Sequence, residues 1–423
     1  MVPRGWSDYR INDLLEGLES GVSVNGENRQ LCPDEKGVLK VSAVSYGTFD
    51  PKAVKAIEIE SELKRAKTHP KKDQVIISRS NTEYLVGASA YVDRDYKELY
   101  LPDKLWQTIP KLNTSMKWLS YFLSSEHARY TLSNLATGTS GSMKNITKGE
   151  FLSLKVATPP YIEQCKIANI LGTWDKAIST TERLIDNSKQ QKKALMQQLL
   201  TGAHKGKRLL DDSGKPFEAD WKKVNLGDCI EHTGGTALEK HVIDDALHHF
   251  ISIGNYSMDG KYIDKGQRIE LNSKTKTKLL NKNDLVMVLN DKTKTGDIIG
   301  STILIEEDNK YIYNQRSERI VPNKEINVSF FWYLLNSFHI RTEVFSRSQG
   351  GTQIYVNFGA LKSIVLNLPK QEEQQKIAAV LTSADQEIEL LRQQLTYLKQ
   401  EKKALMQQLL TGKRRVNIAE DAA

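Results

Sequence analysis

The apolar positions near the end of the chain predict one long helix. No Gly or Pro interrupts residues 370–411, and apolar residues recur there at alternating spacings of four and three. Lys402 breaks a series that otherwise consists of Ile377, Leu381, Ala384, Ile388, Leu391, Leu395, Leu398, Leu405 and Leu409. This spacing places one apolar stripe along a helix and is typical of a left-handed coiled coil.

The same pattern occurs earlier, in residues 159–202. Residues 192–202 and 402–412 both read KKALMQQLLTG, and 159–202 matches 369–412 at 22 of 44 positions. The earlier stripe has Thr181, Ser188 and Lys192 among the apolar residues Ile167, Leu171, Trp174, Ile178, Ile185, Leu195 and Leu199. A weaker stripe in the register of a stronger one predicts that the two helices pack on each other. Each helix would be about 60 Å long.

The segments before the two helices also repeat, although faintly. Trp6 opens a W-x4-I-x-D pattern, and Trp221 opens the same pattern with Leu in place of Ile. Three further pairs of segments resemble each other: 73–80 and 284–291 as strands, 118–125 and 330–337 as helices, 136–146 and 348–358 as glycine-bearing loops. Each half therefore predicts a mixed domain followed by a long helix.

We therefore expect an α+β fold in which two mixed α/β domains are joined by two long helices. The helices form an antiparallel coiled coil, and the whole is an internal repeat with pseudo-two-fold symmetry. The predicted segments are domain 1–158, helix 159–202, polar linker 203–220, domain 221–368, helix 369–412 and a disordered tail 413–423. The helices would act as a spacer between the two domains.

Composition adds a mild basic excess. Lys and Arg number 60 against 52 Asp and Glu, which gives a net charge of +8. Such a balance fits a polyanion partner but does not demand one. The three cysteines are scattered and form no CxxC pair, so neither a disulfide framework nor a zinc site is expected. No apolar run approaches a membrane span, and we expect a cytoplasmic protein without a membrane partner.

Some residues that match between the two helices are not explained by packing in the coil. Lys193, Gln197 and Gln198 are identical to Lys403, Gln407 and Gln408. Two copies of a second protein that dock on equivalent surfaces would keep these polar residues the same. Recent duplication without a functional constraint is the alternative.

These motifs resemble a known family. TPPYIEQCKIANIL (158–171), NLPKQEEQQKIAAVL (367–381) and the two ALMQQLLTG ends are similar to the specificity subunit of type I restriction-modification systems. The resemblance covers essentially the whole chain, with Lys370 in place of a second Pro and an insert at Ala203–Gly206 as small departures.

The resemblance implies a function. Residues 1–158 and 221–368 would be target-recognition domains that read the two halves of a split sequence in double-stranded DNA. The partners would be two adenine-N6 methyltransferase (modification) subunits and, in the full complex, restriction-translocation subunits. No cofactor is expected on this chain, while S-adenosylmethionine, ATP and Mg²⁺ are expected on the partners.

The sequence predicts no catalytic site. Thr158-Pro159-Pro160-Tyr161 resembles the [DN]-PP-[YF] box of adenine methyltransferases, but Thr is a poor substitute for the required amide or carboxylate acceptor. No FxGxG methyl-donor loop precedes it, and no GxxxxGK[ST] phosphate loop occurs in the chain. His248-His249 is more typical of a solvated pair than of a metal site.

Two basic runs are candidates for phosphate contacts. They are Lys64, Arg65, Lys67, His69, Lys71 and Lys72 in the first domain, and Lys274, Lys276, Lys278 and Lys282 in the second. Ordinary solvated charge is the alternative for each run taken alone.

Base edges need side chains that donate and accept hydrogen bonds, such as Arg for guanine and Asn or Gln for adenine. The ends of the next predicted strands offer Arg79, Ser80 and Asn81, and Asn290, Lys292 and Lys294. The glycine-bearing loops offer Thr139, Ser140, Ser142, Lys144 and Asn145, and Gln349, Thr352, Gln353, Tyr355 and Asn357.

Two other functions stay open. A self-contained methyltransferase or nuclease would transfer methyl groups or cut DNA alone, and the missing motifs argue against it. A coiled-coil scaffold or decoy protein without sequence-specific DNA reading would not depend on the basic runs.

Overall fold

The structure, a computed structural model, describes residues 2–140, 143–201, 209–217 and 220–417, with backbone only at 139 and 140. The chain divides into two compact units. Unit 1 comprises Met1–Glu182 and Gln394–Ala423, and unit 2 comprises Arg183–Gln393. Each unit therefore contains one predicted domain and part of both long helices.

The first domain is mixed. Its helices are α1 (Ile11–Leu14), α2 (Glu60–Arg65), α3 (Met116–Ser124), α4 (Glu126–Leu135) and α5 (Lys148–Leu152), and α6 (Tyr161–Leu199) follows them. Its strands are β1 (Ser7–Arg10), β2 (Leu15–Ser20), β3 (Gly37–Leu39), β4 (Val44–Ser45), β5 (Thr48–Phe49), β6 (Val54–Ala56), β7 (Gln74–Ser78), β8 (Ser80–Asn81), β9 (Ser89–Val92), β10 (Leu99–Tyr100), β11 (Leu105–Pro110), β12 (Thr137–Ser140), β13 (Met143–Asn145) and β14 (Lys155–Thr158).

The second domain has the same kinds of elements. Its helices are α7 (Val328–Leu335), α8 (Phe338–Ser346) and α9 (Phe358–Leu361), and α10 (Gln371–Leu409) follows them. Its strands are β15 (Lys222–Asn225), β16 (Ile230–Gly234), β17 (His248–Ile251), β18 (Arg268–Ile269), β19 (Leu285–Val288), β20 (Asn290–Asp291), β21 (Thr302–Leu304), β22 (Tyr311–Tyr313), β23 (Ser317–Pro322), β24 (Ile354–Tyr355) and β25 (Val365–Leu368).

The strand order repeats between the units. Four-stranded antiparallel sheets run β2-β11-β7-β9 and β16-β23-β19-β21, and three-stranded sheets run β10-β3-β6 and β22-β17-β18. In both units a first strand, β1 or β15, pairs with the strand that precedes the long helix, β14 or β25. The repeated mixed fold predicted from the sequence is confirmed.

The central strands β7 and β19 are buried along their whole length. In β7, Val75 and Ile77 belong to the core that includes α3 and the start of α6, whereas Ile76 belongs to a second core on the opposite face. Alternate side chains of a strand point to opposite faces, so a strand buried on both faces shows a continuous apolar run instead of alternation.

The structure shifts the sequence alignment of these strands by one residue. The sequence pattern aligns residues 73–80 with residues 284–291, which makes Ser78 equivalent to Leu289. However, Gly87 N–H donates to Ser78 O at 2.8 Å, and Gly300 N–H donates to Val288 O at 2.9 Å. Both glycines have positive φ, 76° and 72°, a conformation that Gly adopts without strain. Ser78 therefore corresponds to Val288, and Arg79 corresponds to Leu289.

The two long helices pair in antiparallel fashion, as predicted. In unit 1, Lys402 Nζ lies 2.5 Å from Asp175 Oδ1, and Lys399 Nζ lies 2.8 Å from Glu182 Oε1. In unit 2, Lys192 Nζ lies 2.7 Å from Asp385 Oδ2. Residue numbers therefore increase along α6 while they decrease along the facing α10, which is the antiparallel arrangement. Every predicted seam position is buried or half-buried.

The predicted linker 203–220 and the predicted tail 413–423 contact the long helices through their described residues. Arg415 forms two hydrogen bonds of 2.7 Å with Glu163, so the expectation of disorder is wrong at this part of the tail. Lys376 of α10 donates to Leu210 O and pairs with Asp212 of the predicted linker. Residues 203–208, 218, 219 and 418–423 lie outside the described residues.

Candidate DNA-reading and partner-docking surfaces

The start of each long helix carries the same glutamine contacts. Gln164 donates to Pro159 O at 2.9 Å and accepts from Ser115 N–H at 2.8 Å. Gln374 donates to Pro369 O at 2.9 Å and accepts from Asn327 N–H at 2.8 Å. Both glutamines are buried. Each one therefore ties the start of its long helix to the start of α3 or α7 within its unit.

The glutamate before each glutamine is buried and hydrogen-bonded. Glu163 accepts from Trp6 Nε1 at 3.1 Å as well as from Arg415. Glu373 accepts from Trp221 Nε1 at 3.3 Å. The two Trp residues of the W-x4-[IL]-x-D pattern thus have the same partner in both units, which explains why the pattern recurs with the helix.

A third shared contact set lies in the seam of the coil. Asp175 accepts from Tyr121 Oη at 2.5 Å and from Lys402, and Asp385 accepts from Tyr333 Oη at 2.8 Å and from Lys192. Burial raises the pKa of the tyrosines. Burial alone would raise the pKa of Asp385, but the hydrogen bond and charge of Lys192, together with the Tyr333 hydroxyl and the charge of Lys261, outweigh it, and the net direction is downward.

The apolar pattern of the sequence does not indicate these two Asp–Tyr–Lys sets. Each lysine appears in that pattern only as an interruption of the apolar stripe. The available signal was that both lysines and both aspartates are identical at the repeat offset, 402 − 192 = 385 − 175 = 210.

The predicted docking face comprises Lys193, Gln197 and Gln198 in unit 2 and Lys403, Gln407 and Gln408 in unit 1. All six side chains are exposed except Gln198, which is half-buried. In unit 1, Lys403 and Gln407 both contact Glu126, at 2.6 Å and 3.3 Å. The face is therefore accessible as predicted, but its surroundings differ between the units.

The first basic run is exposed and largely ion-paired. Lys64 pairs with Glu60, Arg65 with Glu62 and Lys71 with Glu19, while Lys67 and Lys72 are also exposed. His69 is half-buried, and its Nδ1 lies 2.8 Å from Leu99 O. His69 therefore has a structural contact that the sequence pattern did not indicate.

Among the residues that the structure describes, the second basic run carries fewer ion pairs. Lys274, Lys276 and Lys282 are exposed, whereas Lys278 is half-buried and donates to Gly234 O at 2.6 Å. The ends of the two runs correspond, because Lys72 N–H donates to Asp95 and Lys282 N–H donates to Asp308, both at 2.8 Å. The two runs therefore end at corresponding positions in the two units.

The structure brings each candidate strand end against its glycine-bearing loop. In unit 1, β8 pairs with β13, so that Asn81 lies opposite Lys144 and Ser80 opposite Asn145. In unit 2, β20 pairs with β24, and Asn290 lies opposite Tyr355. We call these two small sheets the loop sheets. Two groups of candidates that are far apart in sequence thus lie together in each unit.

Several candidates in the loop sheet of unit 1 are occupied or buried. Ser80 is only 5% exposed, so its hydroxyl is not available to a base edge in this conformation. Arg79 Nε donates to Asp103 O at 2.8 Å, Asn81 donates to Ser78 Oγ at 3.2 Å, and Lys144 donates to Gly138 O at 3.0 Å. Asn145 is half-buried. Ser142 lies outside the described residues, as do the side chains of Thr139 and Ser140.

The loop sheet of unit 2 presents more polar side chains. Lys292, Lys294, Gln349, Thr352, Gln353 and Tyr355 are exposed, and Asn290 is half-buried. Asn357 is also exposed, but its side chain accepts from Gly359 N–H at the start of α9, which is a structural role. Asp291 is buried and accepts from Thr293 and from Ile298 N–H, so it shapes the loop that carries the two lysines.

Neither a metal cluster nor a membrane helix is found in the part of the chain that the structure describes. Within residues 2–140, 143–201, 209–217 and 220–417, no group of three or more His, Cys, Asp or Glu side chains could hold a metal ion. Within the same residues no helix is sufficiently long and apolar to span a membrane.

Comparison with known proteins identifies the class. A family model described as the type I restriction modification DNA specificity domain matches residues 3–188 and again residues 218–400. The two matches cover most of the chain, and each contains one domain with the greater part of its long helix. The chain belongs to this family of type I restriction-modification specificity subunits.

Relatives agree with the match. The chain is 29% identical to the type I restriction enzyme MjaVIII specificity subunit of Methanocaldococcus jannaschii, over 98% of this chain and 94% of that protein. It is 21% identical to the StySPI specificity subunit of Salmonella potsdam, over 89% and 81% of the two chains. The crystal structure of a type I S subunit from M. genitalium superposes with a TM-score of 0.58 at 16% identity, covering 96% of each chain, which supports the fold.

Proposed function

We propose that this chain reads a bipartite DNA target through its two recognition domains and docks two adenine-N6 methyltransferase subunits. One observation supports this division most directly. Residues that are identical in α6 and α10 make the same contacts in both units, whereas the exposed side chains of the loop sheets differ. The constant part suits one partner that binds twice, and the variable part suits two different half-targets.

The DNA side of the proposal assigns two roles. The exposed lysines of the basic runs contact phosphates and set affinity without sequence preference. The loop sheets read base edges, with Gln349 and Gln353 suited to adenine and Lys292 and Lys294 suited to guanine or phosphate. Domain 1–158 reads one half of the target and domain 221–368 reads the other.

The partner side assigns the chemistry to other subunits. The methyltransferases would flip the target adenine and bind S-adenosylmethionine, while ATP and Mg²⁺ would act on restriction-translocation subunits. This chain would be non-catalytic and would position its partners over the two adenines. The family match and the names of the curated relatives, all specificity subunits, support this division of roles.

The test is to co-express the chain with its methyltransferase and map N6-methyladenine across the host genome. The expected result is one split motif, methylated on both strands, with a gap of fixed length and no preferred bases. The purified chain alone should transfer no methyl group from S-adenosylmethionine to the same DNA. A stable complex that leaves no methylated motif would favour the scaffold or decoy function instead.

A further inference from the structure

The two copies of the docking face differ in what lies beside them. In unit 1, Glu126 is the first residue of α4, and it contacts both Lys403 and Gln407. Lys403 lowers the pKa of this carboxyl group. In unit 2, the first residue of α8 is Phe338, which is 74% exposed. The serines before them, Ser125 and Ser337, cap the two helices in the same way, so Phe338 occupies the place of Glu126.

An open cavity of about 730 Å³ lies beside Phe338 within unit 2. Its apolar wall includes Met196, Leu200, Trp332 and Ile388. Lys193 and Gln197 of the docking face also line it. Lys193 and Gln197 are the counterparts of Lys403 and Gln407, the two residues that Glu126 contacts in unit 1. In unit 2 these counterparts face a cavity instead, and no described residue forms an ion pair with Lys193.

The cavity is also positively charged at its edge. Lys189, Lys193, Lys261 and Arg341 line it, against the acidic residues Asp259, Asp297 and Asp385. Two of these cations have loose ion pairs, Lys189 with Asp186 at 3.7 Å and Lys261 with Asp385 at 3.6 Å. Asp385 is already engaged by Lys192 and Tyr333. Within the described part of the chain, Arg341 donates to the backbone carbonyls of Ile299, Met258 and Asp297 and to no carboxylate. An apolar cavity with a basic edge complements an apolar side chain beside a carboxylate.

We propose that this cavity receives an apolar side chain and a neighbouring carboxylate of the methyltransferase subunit, and that the two docking sites are therefore unequal. In unit 1, Glu126 of the chain itself already occupies the lysine and glutamine that the partner's carboxylate would bind. The first methyltransferase copy binds at unit 2 and the second, more weakly, at unit 1. The inference rests on the proposed function, because it takes the methyltransferase as the occupant.

The inequality should be measurable. Burial of one apolar side chain strengthens binding by about tenfold or more. Titration of the full chain with its cognate methyltransferase, followed by calorimetry and native mass spectrometry, should give two dissociation constants at least about tenfold apart. Equal constants for two bound copies would overturn the inference and leave the proposed function intact. Failure to bind any copy would overturn both.

Exchanging the two residues assigns the sites. Phe338→Glu makes unit 2 resemble unit 1, and it should weaken the tighter site by about tenfold and leave the weaker site unchanged. Acidic residues are favourable in the first turn of a helix, so this variant should fold. Glu126→Gln frees Lys403 and should strengthen only the weaker site. Unchanged constants in both variants would overturn the inference.

A control and an alternative occupant complete the test. Tyr130 is 71% exposed on α4 outside the docking face, and Tyr130→Glu should leave both constants unchanged. The chain without methyltransferase should remain a monomer at the concentrations used. Self-association that Phe338→Glu abolishes would assign the cavity to a second copy of this chain and would overturn the proposal.

Discussion

Lys192 and Lys402 lie in the seam of the coil, where each pairs with an aspartate and lies 5.3 Å from the ring centroid of a tyrosine, Tyr333 or Tyr121. Lys192 is 12% exposed and Asp385 16% exposed, so both charges have lost most of their hydration. Such a pair rarely adds stability beyond an apolar pair of the same size, but an unpaired charge in its place is costly. A polar contact at a defined seam position fixes the register of two helices, because a shifted register would leave the charges unpaired.

Lys192→Met should destabilise the protein by about 1–3 kcal/mol at pH 7, because it leaves the Asp385 carboxylate with Tyr333 and the more distant Lys261. Urea unfolding followed by circular dichroism measures the change. Lys189→Met, on the exposed side of the same helix, removes only a surface pair with Asp186 and should cost less than about 0.5 kcal/mol.

The cost of Lys192→Met should also depend on pH. Since the pKa of Asp385 lies below 3.8 in the folded wild type, its stabilisation is present above pH 3.8 and is lost as the pH falls through the folded pKa. Without Lys192, less opposes the effect of burial, so the pKa of Asp385 should rise. As the pH falls, Asp385 should then become protonated in the variant before it does in the wild type, which removes the cost of the unpaired charge. The difference in unfolding free energy should therefore shrink as the pH falls from 7 towards 4. A constant difference would argue against a charge effect.

Gln164 and Gln374 offer a matched pair of substitutions. Each alanine variant loses one donated and one accepted buried hydrogen bond, and it should lower stability by about 1–3 kcal/mol. Hydrogen exchange should speed up near Ser115 in Gln164→Ala and near Asn327 in Gln374→Ala. An effect in only one unit would contradict the equivalence of the two glutamines.

At the scale of elements, the helices and the main strands could be predicted from the sequence, because both have strong periodicity. The heptad stripe has its period in the sequence itself, and β7 and β19 are continuous apolar runs. The exposure of single polar residues could not be predicted in the same way. Ser80 follows β7 by two residues, yet it is buried because β8 pairs with β13, which is more than 60 residues later in the chain. Likewise, the open cavity beside Phe338 depends on contacts between segments distant in sequence.

The two basic runs should contribute unequally to DNA binding. Lys274, Lys276 and Lys282 are exposed, whereas Lys64, Arg65 and Lys71 already pair with glutamates. Replacing Lys274, Lys276 and Lys282 with Ser should flatten the slope of log K against log salt by about 0.9 for each phosphate that is no longer neutralised. Replacing Lys64, Arg65 and Lys71 with Ser should flatten that slope less. Fluorescence anisotropy of the methyltransferase complex on DNA over a salt series measures both slopes, and equal slopes would contradict the prediction.

At the scale of the whole molecule, the chain combines constant and variable parts within a single repeat. The glutamine, glutamate and Asp–Tyr–Lys contacts attach each domain to the long helices through residues that recur in both units. The loop sheets use different residues on the same backbone pairing. A domain that keeps Trp6, Ser115 and Tyr121, or their counterparts, should therefore be exchangeable without weakening its attachment.

Exchange of residues 1–158 for the corresponding domain of another specificity subunit should change one half of the methylated motif and leave the other half intact. Exchange of 221–368 should have the reciprocal effect, and each variant serves as the control of the other. The reason is that the described strand pairing of each loop sheet stays within its own unit. The contacts between each domain and the long helices, by contrast, are made by equivalent residues in the two units. Methylome sequencing of cells that express each hybrid with the same methyltransferase measures the outcome. A hybrid that alters both halves of the motif would show that the two domains do not read DNA independently.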